Sequence, residues 1–367
     1  MEKRVTWAEL FFDLVFVFAV TQASHLLHDD HSWAGVGRAL IVFVPVYWAW
    51  VGTSVHANTH DVDNPVDRIG MFGVGLASLF MALALPHAYD DHGILLGAAY
   101  WAARLILAAL VFRGWRGIPV NTFSVSAVVT GPLMLAGGLA DGWLRVTLWA
   151  TAAVIDLLTP RLVRRRLALV KFDAHHLPER FGLFQIIALG ESVVAVGGVA
   201  AGEPLTSPRL FAVAAAFALV CGLWWVYFSY AADGIRHALA TTEVQTDVVR
   251  AVLAYGHLLF IGGVIAVAVG LAEVVSHPTD HLHLDTAGLL FGGAALYLGT
   301  FAYTRWRMFR IVGWGRAAAA LSALLLLPLA VLLPAVVALS ALVLVLVVLN
   351  VTEAVAVSNR TRAQRAP

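Results

Sequence analysis

The fold is decided by VTWAELFFDLVFVFAVTQ, residues 5–22, an apolar run that carries two carboxylates, Glu9 and Asp13. The run has the length and composition of a membrane helix, and side chains four residues apart lie on one face of a helix. A charged side chain that faces lipid is costly, so such residues usually face a bundle interior or a water-filled cavity. The segment therefore predicts a transmembrane helix with one polar face.

A related segment, RFGLFQIIALGESVVA, occupies residues 180–195 and again carries an acid, Glu191, in an apolar run. Aligning Asp13 with Glu191 also places residues 15–17 on residues 193–195, so two apolar triplets coincide. The chain therefore looks like two copies of one plan, each opened by an acid-bearing helix.

Composition assigns the whole chain to the membrane class. Its 367 residues are 60% hydrophobic and 13% charged, with a mean hydropathy of +0.82, whereas a soluble domain is nearer 45–50% apolar and about 25% charged. We predict an all-α integral membrane protein with about twelve transmembrane helices. The predicted spans are 7–27, 36–56, 69–88, 93–113, 119–139, 141–158, 181–201, 209–231, 250–274, 286–304, 315–333 and 334–356.

The spans divide evenly about a basic segment, residues 159–180. We predict a first six-helix repeat over 1–158, a cytoplasmic linker over 159–180, and a second repeat over 181–367 that ends in a short basic tail. An even number of spans in each repeat makes the repeats parallel in the membrane. Asp156 and Glu353 both fall at the cytoplasmic end of the last helix of a half.

The basic residues predict the orientation, because cytoplasmic loops carry an excess of Lys and Arg. Placing both termini in the cytoplasm puts 20 of the 24 basic residues on that side, all except Arg38, Arg104, Arg145 and Arg209. The net charge of +1 gives no reason to expect a nucleic-acid partner. The lone cysteine, Cys221, excludes an intramolecular disulfide and a multi-cysteine metal site.

Two long segments carry a resemblance to a known family. RVTWAELFFDLVFVFAVTQ at residues 4–22 and HLPERFGLFQIIALGESVVAVG at residues 176–197 resemble the bacterial low-temperature-requirement A family. The resemblance covers essentially the whole chain and implies a multi-pass protein of the bacterial plasma membrane. The family is named for a growth phenotype in the cold, so the resemblance implies a link to low-temperature growth and supplies no catalytic residues.

Five ionisable residues inside predicted spans form the candidate transport pathway: Asp13, Glu191, Arg104, His257 and Glu9. Counted from the cytoplasmic end of each span at about 1.5 Å per residue, the first four lie at similar depths, which predicts one buried polar layer. The alternative is a structural ion pair, for instance Arg104 with Asp13. His257 has a comparable alternative, a neutral imidazole that hydrogen-bonds a neighbouring helix.

Two histidine-rich stretches are candidate metal sites. The predicted inner site comprises His56, His60, Asp61 and Asp63, and the predicted outer site comprises His25, His28 and His31. Imidazole suits zinc, copper or nickel, although ordinary polar loops have the same composition. The sequence has no Walker loop, nucleophile elbow or dinucleotide fingerprint, so we expect no cofactor.

These observations favour a transporter or ion-conducting protein that moves a proton, cation or small molecule, with membrane lipids as its other partners. One alternative is a non-catalytic scaffold or a sensor of cold or stress. A membrane-embedded lipid-modifying enzyme is less well supported, because no acidic DDxxD motif is present. The sequence does not specify the oligomeric state.

Overall fold

A computed structural model describes residues 3–113 and 120–365, and in these ranges the chain forms helices and no β-strand. The first eight α-helices are α1 (Trp7–Asp29), α2 (Trp33–Thr59), α3 (Pro65–Ala84), α4 (Gly93–Phe112), α5 (Thr122–Val125), α6 (Gly131–Leu139), α7 (Gly142–Leu162) and α8 (Arg164–Leu167). The next eight are α9 (His176–Ala201), α10 (Ser207–Val226), α11 (Ala232–Thr241), α12 (Gln245–Val248), α13 (Tyr255–Ser276), α14 (Leu284–Phe309), α15 (Trp314–Ala330) and α16 (Ala335–Arg365).

Short polar residues cap the N-termini of the first three helices. Their side chains accept hydrogen bonds from backbone N–H groups that have no acceptor within the helix. Thr6 accepts from the Glu9 N–H at the start of α1, and Ser32 accepts from the Gly35 N–H at the start of α2. Asn64 caps α3, whose first residue is a proline, a residue well suited to that position. The interiors of these helices are apolar on nearly every side, as expected for burial in lipid.

Within the described residues, ten helical segments are long and apolar enough to cross a membrane, which confirms the multi-pass helical class. Two more helices are of similar length: α7 has 21 residues, three of them charged, and α15 is a mainly apolar helix of 17 residues. Each of the twelve predicted spans overlaps one of these twelve segments, while the count of twelve crossings stays a prediction. Arg116, one of the 20 basic residues predicted to be cytoplasmic, lies outside the described residues.

The chain divides into two compact units, Met1–Phe184 with Arg236–Leu258, and Gln185–Ile235 with Leu259–Pro367. These units do not coincide with the predicted halves, because residues 236–258 pack with the first unit. The ends of the predicted linker are also helical, since α7 runs to Leu162 and α9 begins at His176. The domain boundaries and the repeat stay predictions.

In the first unit, six helices form a closed ring of neighbours: α1 packs on α3, α3 on α4, α4 on α6, α6 on α7, α7 on α2, and α2 on α1. In the second unit, α14 packs on α15, α15 on α16, and α16 on α10. The six-membered ring places α1, with its two acids, against α2. This packing positions the polar cluster described next.

Candidate functional site

The start of α1 fixes the first acid of the site. The Thr6 N–H and hydroxyl donate to Glu9 Oε2 at 2.8 and 3.0 Å, and the Glu9 N–H donates back to the Thr6 hydroxyl at 3.3 Å. This reciprocal arrangement is a capping box. It turns Glu9 toward the protein interior, where its carboxylate is fully buried.

Arg180, near the start of α9, joins both acids of α1. Its Nη1 donates to Glu9 Oε1 at 2.7 Å and its Nη2 donates to Asp13 Oδ1 at 2.6 Å. The three side chains are 0–1% exposed. A planar guanidinium with two separate Nη groups is well suited to bridging two carboxylates. One buried cation therefore bridges two buried carboxylates.

The beginning of α9 is held by Asp173 and Asn58. Asp173 Oδ1 accepts the N–H groups of His175 and His176 at 2.9 and 2.8 Å. Burial would raise the pKa of Asp173, but these N–H groups hold it below its ordinary value. Asn58 Oδ1 accepts the Asp173 N–H at 3.0 Å, and Asn58 Nδ2 lies 3.2 Å from the Asp173 carbonyl. Together, the two contacts establish which atom of the Asn58 amide is the oxygen and which is the nitrogen.

This orientation assigns the tautomer of His176. Asn58 Nδ2 is a donor and lies 3.1 Å from His176 Nδ1, so Nδ1 is the acceptor and the proton is on Nε2. His176 Nε2 lies 3.0 Å from Glu9 Oε1 and donates to that carboxylate. His176 therefore enters the cluster as a neutral donor.

Trp50 of α2 completes the surroundings of Asp13. The indole N–H donates to Asp13 Oδ1 at 2.8 Å, and the ring stacks on Phe184 at 4.2 Å. Asp13 Oδ1 thus accepts from both Trp50 and Arg180. Asp13 Oδ2 is buried and has no hydrogen-bond partner among the described residues, and the same holds for Arg180 Nε. We call Glu9, Asp13, Trp50, His176 and Arg180 the acid cluster.

A second polar cluster surrounds Asp156 in the first unit. Asp156 Oδ1 accepts from the hydroxyls of Ser126 and Thr130 at 2.8 and 3.0 Å, and Asp156 Oδ2 accepts from the Tyr100 hydroxyl. Arg104 Nε donates to the same Tyr100 oxygen at 3.1 Å, and Arg104 Nη2 lies 3.8 Å from Asp156. The carboxylate of Asp156 is well satisfied, and Arg104 is its counter-ion.

The predicted pathway residues therefore fall in different places. Glu9 and Asp13 share Arg180, whereas Arg104 pairs with Asp156 and not with Asp13. His257 is buried, lies 3.1 Å from the Val252 carbonyl through Nδ1, and contacts Phe181 edge to face at 4.9 Å. Glu191 belongs to the second unit, where it is 3% exposed. That Glu191 shares one polar layer with Asp13 stays a prediction.

The predicted inner metal site is a hydrogen-bonded cluster. His56 Nε2 lies 2.9 Å from Asp67 Oδ1, and the His60 ring stacks on His56 at 4.6 Å. Asp61 accepts the Asp63 N–H at 3.0 Å, and the Asp63 carboxylate pairs with Arg68. Each of these groups therefore has a partner within the protein.

The predicted outer metal site is only partly assembled. His28 and His31 meet edge to face at 5.4 Å, and His25 is exposed on α1. No three His, Cys, Asp or Glu residues in the described ranges are arranged to hold a metal ion. Neither the inner nor the outer metal hypothesis therefore gains support from the structure.

Sequence reasoning missed Arg180, His176 and Asp156 as site residues. Charge and hydropathy predict that the helix starts at residue 181, which places Arg180 and His176 in the cytoplasmic linker. Asp173 followed by Pro178 was the signal of an earlier start, since an acidic cap and a proline in the first turn are typical of helix N-termini.

Comparison with known proteins agrees with the motifs that meet in the acid cluster. Residues 4–351 match the family model described as bacterial low temperature requirement A protein. A relative from Rhizobium meliloti (strain 1021), described as an uncharacterized protein, is 32% identical over 325 residues, covering 83% of this chain and 77% of the relative. No solved structure matches the chain. The chain belongs to the bacterial low temperature requirement A family of membrane proteins.

Proposed function

We propose that this protein is a transporter or ion-conducting protein of the bacterial plasma membrane in which Asp13 binds and releases the transported proton or cation. The supporting observation is the charge of the acid cluster. Two buried carboxylates share one guanidinium, the neighbouring histidine is a neutral donor, and Asp13 Oδ2 has no partner in the described ranges. A buried carboxylate with an unused oxygen accommodates a proton or a small cation at low cost.

Within the cluster, the two acids have different roles. Glu9 is held by Arg180, His176 and the Thr6 capping box, which makes it the fixed counter-charge of the arginine. Asp13 retains one unused oxygen and is the exchanging group. Glu191, His257 and Arg104 remain candidate pathway residues on the argument that ionisable groups inside membrane segments usually serve transport.

The architecture we propose has twelve crossings in two repeats of six, with both termini in the cytoplasm. The ten candidate membrane helices together with α7 and α15 give that number. The last helix of each predicted half carries an acid paired with an arginine of its own unit, Asp156 with Arg104 and Glu353 with Arg316. The two acids thus occupy comparable positions, whereas their arginines come from the fourth predicted span of the first half and the fifth of the second.

The competing function is a non-catalytic scaffold or cold sensor. The burial of Glu9, Asp13 and Arg180 and the ion pairs between them favour it, because such a cluster can hold α1 against the start of α9 without transporting anything. Under this hypothesis, loss of Asp13 lowers stability and leaves no transport to lose. The two hypotheses therefore differ in what purified protein does in a sealed vesicle.

The experiment is flux in proteoliposomes that contain pH-sensitive and cation-sensitive dyes. We expect flux from the wild type and none from Asp13→Asn, with both proteins folded as judged by their unfolding temperatures. Glu9→Gln should lower stability and retain flux in proportion to the folded fraction. Asp141→Asn is the control, because that side chain is 96% exposed and should behave as the wild type.

A wild type without flux, or Asp13→Asn with normal flux for each folded molecule, would reject transport in favour of the scaffold. Growth gives a cellular measurement of the same proposal. A strain without this protein should grow poorly in the cold, and the wild-type chain but not Asp13→Asn should restore growth.

A further inference from the structure

A cleft of about 1090 Å³ lies beside the N-terminal segment of the first unit. Residues from the segment that precedes α1, from the connection between α2 and α3, and from the first turns of α1 and α3 line it. Since α1 and α3 both begin here and α2 ends here, the cleft lies at one boundary of the membrane. No residue of the acid cluster lines this cleft.

The polar wall of the cleft carries both signs of charge. Arg4 is exposed, and Arg68 donates to Asp63 at 3.0 Å in a pair whose side chains are 49% and 62% exposed. Asp61 is exposed on the same wall. Lys3 also lines the cleft, but its ammonium donates to backbone carbonyls at the end of α2. Two arginines and two carboxylates therefore remain accessible to a ligand at this opening.

The other wall is apolar and aromatic. Phe11 and Phe72 meet edge to face at 5.8 Å, yet they are 61% and 45% exposed. Trp7, which also lines the cleft, is 88% exposed. Aromatic side chains that are exposed at helix ends are typical of the level of lipid headgroups. This wall therefore suits acyl chains.

We propose that the cleft binds a zwitterionic aminophospholipid such as phosphatidylethanolamine. Arg4 and Arg68 bind its phosphate, Asp61 and Asp63 bind its primary ammonium, and the acyl chains follow Phe11 and Phe72. Arginine suits phosphate because its N–H groups form paired hydrogen bonds. The two carboxylates disfavour an anionic lipid such as phosphatidylglycerol, and a trimethylated ammonium has no N–H to donate to them.

The cleft also adjoins the acid cluster through the chain itself. Thr6 lines the cleft and donates to Glu9 from its N–H and hydroxyl. A headgroup in the cleft therefore lies next to Thr6, the residue that caps the N-terminus of α1. The lipid proposal does not depend on transport, because it rests on the cleft and its charges alone.

The test is lipid retention measured by native mass spectrometry. The full-length protein is equilibrated with vesicles that contain equal parts of phosphatidylethanolamine, phosphatidylglycerol and phosphatidylcholine, and then released into detergent. We expect phosphatidylethanolamine to be retained in preference to the other two lipids. Arg4→Gln and Arg68→Gln should each weaken its retention about fivefold, the usual effect of one basic residue at a lipid headgroup.

Two further variants complete the design. Asp61→Asn should reduce retention of phosphatidylethanolamine and increase retention of phosphatidylglycerol. Arg38→Gln is the matched control, since Arg38 is an exposed arginine that pairs with Asp30 and does not line the cleft. Equal or better retention of phosphatidylglycerol in the wild type, or equal retention by Arg68→Gln and Arg38→Gln, would overturn the proposal.

Discussion

Arg180 is the residue on which the acid cluster depends. It is fully buried and donates to two carboxylates that belong to another helix. Removing ions from water costs several kcal/mol for each ion, which their mutual attraction offsets only when geometry and hydrogen bonding are good. The cluster is therefore stable as a set, and the loss of its one cation leaves two buried carboxylates uncompensated.

We expect Arg180→Ala to lower the free energy of unfolding by about 3–5 kcal/mol, the usual cost of breaking a buried ion pair. Arg180→Lys should also be strongly destabilising, because one ammonium cannot reproduce two Nη contacts at 2.7 and 2.6 Å. Chemical unfolding in one detergent is the measurement. Arg164→Lys is the control, since Arg164 is 53% exposed in its pair with Asp247, and a comparable loss there would contradict this account.

For the acid cluster, the sequence predicts the two carboxylates, Glu9 and Asp13, but not the arginine that pairs with them. The spacing of Glu9 and Asp13 indicated one shared face, and both carboxylates contact Arg180. Pairing, however, depends on which helices become neighbours. Arg180 lies 167 residues from Asp13 along the chain, and a charged residue at the end of an apolar run is ordinarily read as a topology signal.

The helices α4 and α6 are in close contact at two glycines. A Cβ on Gly97 would lie 2.4 Å from the Met134 carbonyl oxygen, and a Cβ on Gly138 would lie 2.3 Å from the Gly93 carbonyl oxygen. Small residues permit such contact between membrane helices. The atoms that such a Cβ would meet are backbone atoms of the facing helix, which cannot shift unless that whole helix moves.

Gly97→Ala should therefore destabilise the protein by about 1–3 kcal/mol, the usual cost of overpacking. Gly197→Ala is the matched control, because nothing lies within 4 Å of its Cβ and alanine favours a helix by about 1 kcal/mol relative to glycine. Unfolding midpoints in a single detergent measure both changes. Gly97→Ala as stable as Gly197→Ala would show that α4 and α6 are not in this contact.

Hydropathy located the helices better than it located their ends. The last predicted span ends at residue 356, whereas α16 continues to Arg365, because a helix can extend into water after its apolar sequence has ended. The π-helical turn Ser126–Thr130 was also missed. Its first and last hydroxyls reach the same oxygen of Asp156, a contact that depends on packing between helices and leaves no mark in local sequence.

For the whole molecule, the four exceptions to the basic-residue distribution have structural explanations. Arg145 donates to the carbonyls of Ala88, Asp90 and Ala140, and in the second unit Arg209 donates to those of Pro204, Val275 and Ser276. Cations bind favourably to the free carbonyls at helix C-termini. Arg38 pairs with Asp30 and Arg104 with Asp156. These four positive charges are therefore required by local structure.

With those four explained, the remaining basic residues predict that both termini and the connection between α8 and α9 are cytoplasmic. In a Cys221→Ser background, a cysteine at Leu169, which is 87% exposed, should react with an impermeant maleimide only after the cells are permeabilised. A cysteine at Thr279, exposed between α13 and α14, should react in intact cells. Labelling of position 169 from outside would reverse the orientation, and with it the membrane face to which the lipid cleft and the start of α1 belong.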